Sequence, residues 1–529
     1  MSHKIYPIGI QNFEEIRKGG YFYADKTALV HKLVKSGKYY FLSRPRRFGK
    51  SLLLSTFEAY FQGKKDLFAG LAMEHLEQDW IQYPVLHLDL NAKKYEDSAS
   101  LSAILNQHLE KWEMEYGNEK KNRSPEERFA YIIEKVCMST GRNVVVLVDE
   151  YDKPLLQTIG DEALQTAYRD TLKAFYGVLK SSDRYLRFVF LTGVTKFSKV
   201  SVFSDLNNLE DISIDHRYGS ICGITKDELY GNLSEEIREL ARENKMTEAE
   251  AHTRLKEWYD GYHFNAESED IYNPFSLLNT FAKMRFGSYW FETGTPTFLV
   301  ELLKGCHYDL QRLTGEMATA DSLSGIDSVQ ENPVPVLYQS GYLTIKGYDA
   351  EFKTYLLGFP NREVEEGFVR FLLPYYASVR KVDSSVQLIR LVQEMRSGQV
   401  DSFMQRLQSF FADTPYELVR DREVHYQNVL FVVCKLLGFY TQAEYHTSCG
   451  RIDLLVQTDR FIYVMEFKLN GTAEEALQQI NDRQYALPFV SDSRTVYKIG
   501  VNFSKETRGL EKWVVERSYT SSHTAISTP

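Results

Sequence analysis

The stretch Arg44-Pro45-Arg46-Arg47-Phe48-Gly49-Lys50-Ser51 lies between an aromatic run, Tyr39-Tyr40-Phe41-Leu42, and an apolar one, Leu52-Leu53-Leu54. A strand that ends in such a loop and passes straight into a helix brings backbone N–H groups to a point where an anion can be held. Gly49-Lys50-Ser51 closes the loop as the phosphate-binding pattern G-x-x-x-x-G-K-[ST] requires, whereas the first glycine of that pattern is replaced by Arg44. That glycine mainly permits a tight turn, and Pro45, with φ preset near about −65°, can support another. A lysine for the β/γ oxygens and a hydroxyl for Mg²⁺ are both in place. Arg46, Arg47, Phe48, Gly49, Lys50, Ser51 and Leu52 are therefore candidate ATP-binding residues, with Ser51 on the metal. The substitution at 44 bears on turnover.

Two more strands extend the pattern. In "NVVVLVDEYDKP" (143–154) a valine-rich run ends in Asp149-Glu150. An acidic residue at the end of a buried strand can hold a nucleotide's metal, so Asp149 is expected on the metal side and Glu150 at the attacking water. "FVFLTG" (188–193) ends in Thr192, placed to sense a γ-phosphate. A lone Gly-Lys-Ser arises by chance, and a valine run ending in Asp-Glu also describes a strand reaching the surface. Strand–loop–helix, strand–Asp-Glu and strand–Thr in that order is the ordering of P-loop ATPases.

At 529 residues the chain exceeds one hydrophobic core, and two to four domains are expected. Up to about 230, short β-branched or aromatic runs (38–43, 85–90, 144–148, 188–191) alternate with amphipathic segments, as in an α/β layered domain. The helix after Lys50 presents Leu53, Phe57, Tyr60 and Phe61 on one face. Residues 231–415 turn mostly helical and are read as a lid or connector, with a break at Asn273-Pro274, a helix start at Ser276 and a proline break at Pro374. From 416 the order is a helix (422–437), alternating runs 450–457 and 461–468, then a helix from Thr472. This α-β-β-α order marks a second α/β domain over 416–515, and the Ser/Thr-rich 516–529 are expected to fray.

That second domain has its own chemistry. In "GRIDLLVQTDRFIYVMEFKLN" (450–470), Asp453 lies on one strand and Glu466 and Lys468 share a face of the next. Two carboxylates on adjacent strands offer hard oxygens to Mg²⁺, and a lysine beside them can position or activate a water. Asp453 and Glu466 are candidate metal ligands and Lys468 a candidate catalytic group. Gln478 or Gln479 of the next helix and Glu423 of the preceding one are further candidates. Cross-strand charge pairs on a surface hairpin produce the same pattern. Apolar neighbours (Ile452, Leu454, Val464, Met465, Phe467) and the glutamine-bearing helix argue against that alternative.

"YPIGIQNFEEIRKGGYFYADKTALVHKLV", "RPRRFGKS", "VVVLVDEYDKPL", "FLTGVTKFSKVSVFSDLNNLEDIS" and "YNPFSLL", in that order, resemble the bacterial AAA-ATPase-like family, common in gut Bacteroidetes and often carrying a C-terminal PD-(D/E)XK nuclease-like domain. The resemblance spans nearly the whole chain. It implies an N-terminal P-loop NTPase of the additional-strand class, in which arginine at position 44 is usual, and a C-terminal restriction-endonuclease-like α/β domain. It carries Asp453, Glu466 and Lys468 onto the nuclease motif, with Gln479 and Glu423 beside them; the motif's proline is absent, since Arg451-Ile452 precede Asp453.

A net charge of −9 does not suit a general nucleic-acid binder, so such a partner, DNA before RNA, requires a local basic groove or a metal. Five widely spaced cysteines without a C-x-x-C argue for reduced thiols and against a disulfide framework or structural zinc. With no apolar leader and no run of about 20 apolar residues, a cytoplasmic protein with no membrane contact is expected. Oligomeric state is open. Asp260-Gly261 and His263 in "WYDGYHF" read as a turn with aromatic packing, and His425, His446 and Cys449 as isolated residues. The leading reading is an ATP-binding P-loop protein coupled to a metal-dependent nuclease. The alternatives are a nucleotide-dependent regulatory protein with an inactive nuclease fold, and a nucleic-acid-binding module with an inactive ATPase.

Overall fold

The computed structural model describes residues 4–92, 94–117, 123–197, 206, 208–293, 297–323, 325–326, 331–376, 384–411, 422–438, 442–448, 451–468, 471–504 and 509–518. Two compact units divide the chain: Met1–Gly294 with Gly315–Glu363, and Thr295–Thr314 with Val364–Pro529. Residues 231–415 thus contribute to both.

The first unit is built on five parallel strands, β1 (Tyr39–Ser43), β2 (Val85–Asp89), β3 (Val144–Asp149), β4 (Leu186–Gly193) and β5 (Glu210–Asp211), in the order β2-β3-β4-β1-β5. Strand β4 stands between the loop-bearing β1 and the acidic β3, as the additional-strand class requires. β3 and β4 are almost wholly buried, which is why they read as continuous apolar runs. The Lys50–Phe61 helix buries Leu53, Phe57, Tyr60 and Phe61, the expected face, and Phe57 and Phe61 pack on Phe188.

Four helices, Lys226–Asn232, Ser234–Glu243, Glu248–Tyr259 and Pro274–Lys283, share a core of Leu229, Ile237, Leu240, Leu255, Tyr259, Leu277 and Phe281. The last begins at Pro274, two residues before the expected Ser276. The Asn273 side chain caps it by accepting from the Ser276 N–H, and proline at the first helical position has no N–H to satisfy. A three-stranded antiparallel sheet, β6 (Glu316–Thr319), β7 (Thr344–Asp349) and β8 (Thr354–Gly358), lies within the stretch expected to be mostly helical. "TIKGYD" of β7, with lysine and glycine at its centre, carries no clean alternation that would announce a strand.

The second unit holds a mixed sheet in the order β13-β12-β11-β10-β9: β9 (Gln442–Ser448), β10 (Arg451–Gln457), β11 (Phe461–Lys468), β12 (Thr495–Ser504) and β13 (Gly509–Ser518). Only β11 and β12 run parallel, joined by the Ala473–Asp482 helix. The expected α-β-β-α order gains β9, whose sequence "QAEYHTS" has no apolar period. Strand β13 runs to Ser518, past the expected boundary at 515, and 519–529 lie outside the described residues. Pro374 sits inside the Arg362–Tyr376 helix and does not end it. Among the described residues no helix is long and apolar enough to cross a membrane.

One close approach fixes the second unit's geometry. The Ala473–Asp482 helix is started by a capping box of Thr472 and Glu475. It lies so near β12 that a Cβ on Gly500 would stand 2.1 Å from the Ala473 carbonyl oxygen and 2.4 Å from the Leu477 nitrogen. Gly500 is the register partner of Glu466. The missing side chain therefore lets the helix settle over the sheet beside that glutamate. Gly500→Ala is expected to lift the helix and destabilise the second unit by about 1–3 kcal/mol, seen as a lower urea midpoint.

Candidate functional site

Two groups of polar residues stand out, one in each unit. In the first, Gly49 adopts φ +96°, where a side chain would be strained, and leads into the Lys50–Phe61 helix without a side-chain cap. The first-turn N–H groups of that helix are thus left to a ligand. Lys50 is buried, and its Nζ donates to the carbonyls of Arg44 (3.1 Å) and Pro45 (3.3 Å) and lies 3.6 Å from the Glu150 carboxylate. The Ser51 hydroxyl donates to Asp149. Burial, together with repulsion from Glu150, pushes the Asp149 carboxyl up to about 6, although Ser51 and Lys50 pull the other way. Glu150 is partly buried and holds φ +52°, unusual for a residue with a side chain.

The replacement at position 44 is explained by where its side chain goes. Arg44 is 1% exposed; its guanidinium donates to the carbonyls of Ser43 (2.9 Å), Ser213 (2.7 Å) and Tyr218 (3.3 Å) and stacks on Phe264 at 4.1 Å. Phe48 likewise turns inward, packing on Tyr262 and Phe264, and its carbonyl accepts from the Gly223 N–H. The Phe48 side chain is therefore largely in the core, while the residue also lines the cleft beside Gly49. Arg46 and Arg47 are exposed, with the Arg47 guanidinium 5.1 Å from the Phe275 ring centre. Leu52 lines a mostly apolar, open cleft beside Gly49, together with Phe22, Ala24, Ile224, Pro274 and Leu278.

Thr192 departs from expectation. Its hydroxyl is fully buried and donates to the Leu42 carbonyl (2.8 Å), so it has no hydrogen left for a phosphate in this conformation. The polar group that links β3 to the loop after β4 is Asp152, which accepts from the Val194 N–H (3.3 Å) and from both the N–H and the hydroxyl of Thr195 (2.6 Å each). Burial and then Glu150 raise its pKa. Its signal lies within "DEYD", three residues past Asp149. Gly261 takes φ +88° against the Pro360 carbonyl and His263 pairs with Asp270, which bears out a structural reading of both.

A second set of residues was not legible in the sequence. Trp290 donates through its indole N–H to the Arg46 carbonyl (2.9 Å) and through its backbone N–H to Glu363 (2.7 Å). The same oxygen of Glu363 accepts from the Ser276 hydroxyl (2.9 Å). Glu363 is fully buried, and that burial pushes its carboxyl up to about 8. Residues 244 and 87 positions apart make these contacts, and no local pattern announces them.

In the second unit, Asp453 stands directly opposite Glu466 in the β10–β11 register, and Lys468 follows two residues on from Glu466. Glu466 is fully buried. The Gln479 side-chain amide donates to Glu466, and the Lys468 ammonium donates to the Gln479 carbonyl and lies 4.0 Å from the Glu466 carboxylate. Gln478 turns away to Asp482. The side chains of Asp453, Glu423, His425 and His446 lie outside the described residues, as does Cys449. Among the described residues no three His, Cys, Asp or Glu side chains already form a metal cluster. The donors available here are hard oxygens, which fit a cation of the Mg²⁺ class, and the buried Glu466 carboxylate is pre-oriented by Gln479.

The family described as "Predicted AAA-ATPase" matches residues 7–203, and the family described as the PD-(D/E)XK nuclease superfamily matches residues 421–513. An uncharacterized protein encoded in the vnfD 5′ region of Azotobacter chroococcum mcd 1 is 37% identical over 531 residues, covering 98% of this chain and 99% of that one. The Aeropyrum pernix ORC2 protein, solved as ADPNP and ADP complexes, aligns over 63% of this chain and 88% of its own, at 9% identity and a TM-score of 0.19, too low to carry a likeness of fold. With the loop, the acidic strand and the Glu466–Lys468 strand in the spans these families cover, the chain belongs to the predicted AAA-ATPases that join a P-loop ATPase-like domain to a C-terminal domain of the PD-(D/E)XK nuclease superfamily.

Proposed function

We propose that the protein is an ATP-dependent switch controlling a Mg²⁺-dependent nuclease that cuts DNA in preference to RNA, with residues 1–230 holding the nucleotide, 231–415 acting as lid and connector, and 416–515 cutting. The observation that carries this is the Lys468–Gln479–Glu466 chain, with Asp453 in register across from Glu466. A fully buried carboxylate held by an amide, with an ammonium at the far end, has the parts of a phosphodiester-cleaving site.

In the first unit, phosphates would sit on the N–H groups at the start of the Lys50–Phe61 helix. Lys50 would exchange the Arg44 and Pro45 carbonyls for phosphate oxygens, so the loop is held by its own lysine until nucleotide arrives. The base would take the apolar cleft of Leu52, Phe22, Ile224 and Pro274. Ser51 and Asp149 would hold Mg²⁺, and Glu150 stands next in line to orient water. In the second unit Asp453 and Glu466 would hold the cation, which when bound lowers the pKa of water and polarises a phosphoryl oxygen. Lys468 would then orient the water and steady the charge on the phosphate, while Gln479 keeps the Glu466 carboxylate in place.

The coupling route is read from Trp290. It touches the phosphate loop at Arg46 and also Glu363, the last residue of the first unit, where the Arg362–Tyr376 helix carries the chain into the second. A nucleotide that moves the loop backbone also moves this indole.

The test is cleavage of plasmid and single-stranded DNA with Mg²⁺ or Mn²⁺, with and without ATP. Lys468→Ala and Asp453→Ala are expected to lower the rate by at least about a hundredfold while ATP binding persists. Cleavage that survives both substitutions sinks the site assignment. ATP binding with no cleavage in the wild type moves the function to a regulatory switch.

Asp149 gives a prediction with a sign. Its folded pKa, about 6, exceeds the ordinary value of about 3.9, so the charged form is penalised and stability falls as pH rises through 6. Asp149→Asn should therefore stabilise the protein at pH 7.5 by about 3 kcal/mol, a gain that vanishes by about pH 4, while abolishing ATP hydrolysis. Urea unfolding at the two pH values and a phosphate-release assay check both halves.

A further inference from the structure

We infer that Asn502 and Glu511 extend the second unit's site, with Asn502 a positioning residue whose side-chain carbonyl receives the Lys468 ammonium when a divalent cation binds at Glu466. The inference rests on the nuclease reading above and adds two residues to it.

Strands β11 and β12 are parallel, and in their register Lys468 faces Asn502 as Glu466 faces Gly500. Residues paired this way share a face of the sheet, about 4.8 Å apart across the strands. Asn502 is 9% exposed. Its amide nitrogen donates to the Glu511 carboxylate at 3.1 Å, and its side-chain oxygen has no hydrogen-bond partner. The amide's orientation follows from chemistry: an ionised carboxylate only accepts, so the NH₂ group faces Glu511 and the oxygen faces away.

Glu511 reaches Asn502 because of a bulge. The β12–β13 register jumps from Asn502 opposite Lys512 to Phe503 opposite Leu510, which leaves Glu511 as the extra residue. Bulges re-aim single side chains in this manner. Sequence gives no hint of it, since the three residues come from two strands whose pairing must first be known.

A buried acceptor without a donor is costly, and it waits for one. Lys468 has three N–H donors and is one of two lysines in register with Asn502; the other, Lys512 on β13, is already paired with Glu474. At rest the ammonium donates to Gln479 and lies 4.0 Å from the Glu466 carboxylate. A dication bound to that carboxylate repels it. Besides the Gln479 carbonyl that the lysine already holds, Asn502 offers a neutral oxygen in register on the next strand, so the lysine can withdraw from the cation without leaving the site.

The experiment uses the full chain without nucleotide. Mn²⁺ affinity is measured by electron paramagnetic resonance, alongside plasmid cleavage, for the wild type, Asp453→Ala, Asn502→Leu and the double exchange Asn502→Asp with Glu511→Gln. Asn502→Leu is expected to weaken Mn²⁺ about tenfold and lower kcat similarly with plasmid KM unchanged. Its thermal midpoint should not fall, since an unpartnered polar group has been removed. The double exchange returns a donor to face the new carboxylate and leaves an oxygen for Lys468, and so should restore Mn²⁺ affinity. Wild-type affinity in Asn502→Leu overturns the inference alone. A wild-type thermal midpoint with Mn²⁺ affinity still weakened in the double exchange also overturns it, because the pair would then be structural. Mn²⁺ binding indifferent to Asp453→Ala overturns the nuclease metal site and this inference with it.

Discussion

A guanidinium buried beneath the phosphate loop sets the terms for the first unit. Where the common pattern places a glycine, Arg44 sends its side chain inward to three carbonyls, of Ser43, Ser213 and Tyr218, and onto the face of Phe264. Burial lowers its pKa, yet a guanidinium stays charged in proteins and must keep these partners. The loop backbone is thereby tied to the segment after β5 and to the aromatic cluster that also holds Phe48. Glycine would give the turn more freedom; arginine fixes it from below.

Above that anchor, the carboxyl ends of the parallel strands collect charge in a nearly dry place. Lys50, Asp149, Glu150 and Asp152 lie on adjoining strand ends, and three acids share one buried ammonium. Burial first, and repulsion from Glu150 second, raise the pKa values of Asp149 and Asp152. A nucleotide carrying a divalent cation would bring positive charge to the acids and negative charge to the lysine and the helix start. The arrangement is uncomfortable in the free protein in just the way that a ligand of that charge pattern relieves. The second unit takes the opposite course: Glu466 is neutralised locally by an amide and an ammonium before any partner arrives.

Legibility in the sequence followed the range of the signal. The Gly49–Ser51 loop, the valine run into Asp149 and the Asp453/Glu466/Lys468 spacing are each contained in a strand or in a strand and its neighbour, and the structure places them as periodicity implies. Thr192 misled because position at a strand end does not reveal which carbonyl a hydroxyl will take, and here Leu42 was nearer. Strands β6 to β8 and β9 were invisible because short strands carry too few residues for an apolar alternation to stand out. Trp290, Glu363, Asn502 and Glu511 depend on distant packing or on a bulge, and local chemistry is silent about both.

The chain passes from one unit to the other after residues 294, 314 and 363, so neither unit is a continuous segment. Gln339 holds the Lys196 N–H at 2.6 Å, and Gly341, at φ +86°, lies against Pro45, where a Cβ would stand 2.7 Å from the ring. The phosphate loop, among the first elements made on the ribosome, is therefore walled in only when residues some three hundred positions later emerge. By then the Thr297–Gly305 helix has already been made and must wait for its own unit. A fragment cut at 294 carries every residue of the nucleotide motif and still lacks one wall of the loop. Single-cut truncation is the wrong way to divide this protein, because no one cut leaves both units whole.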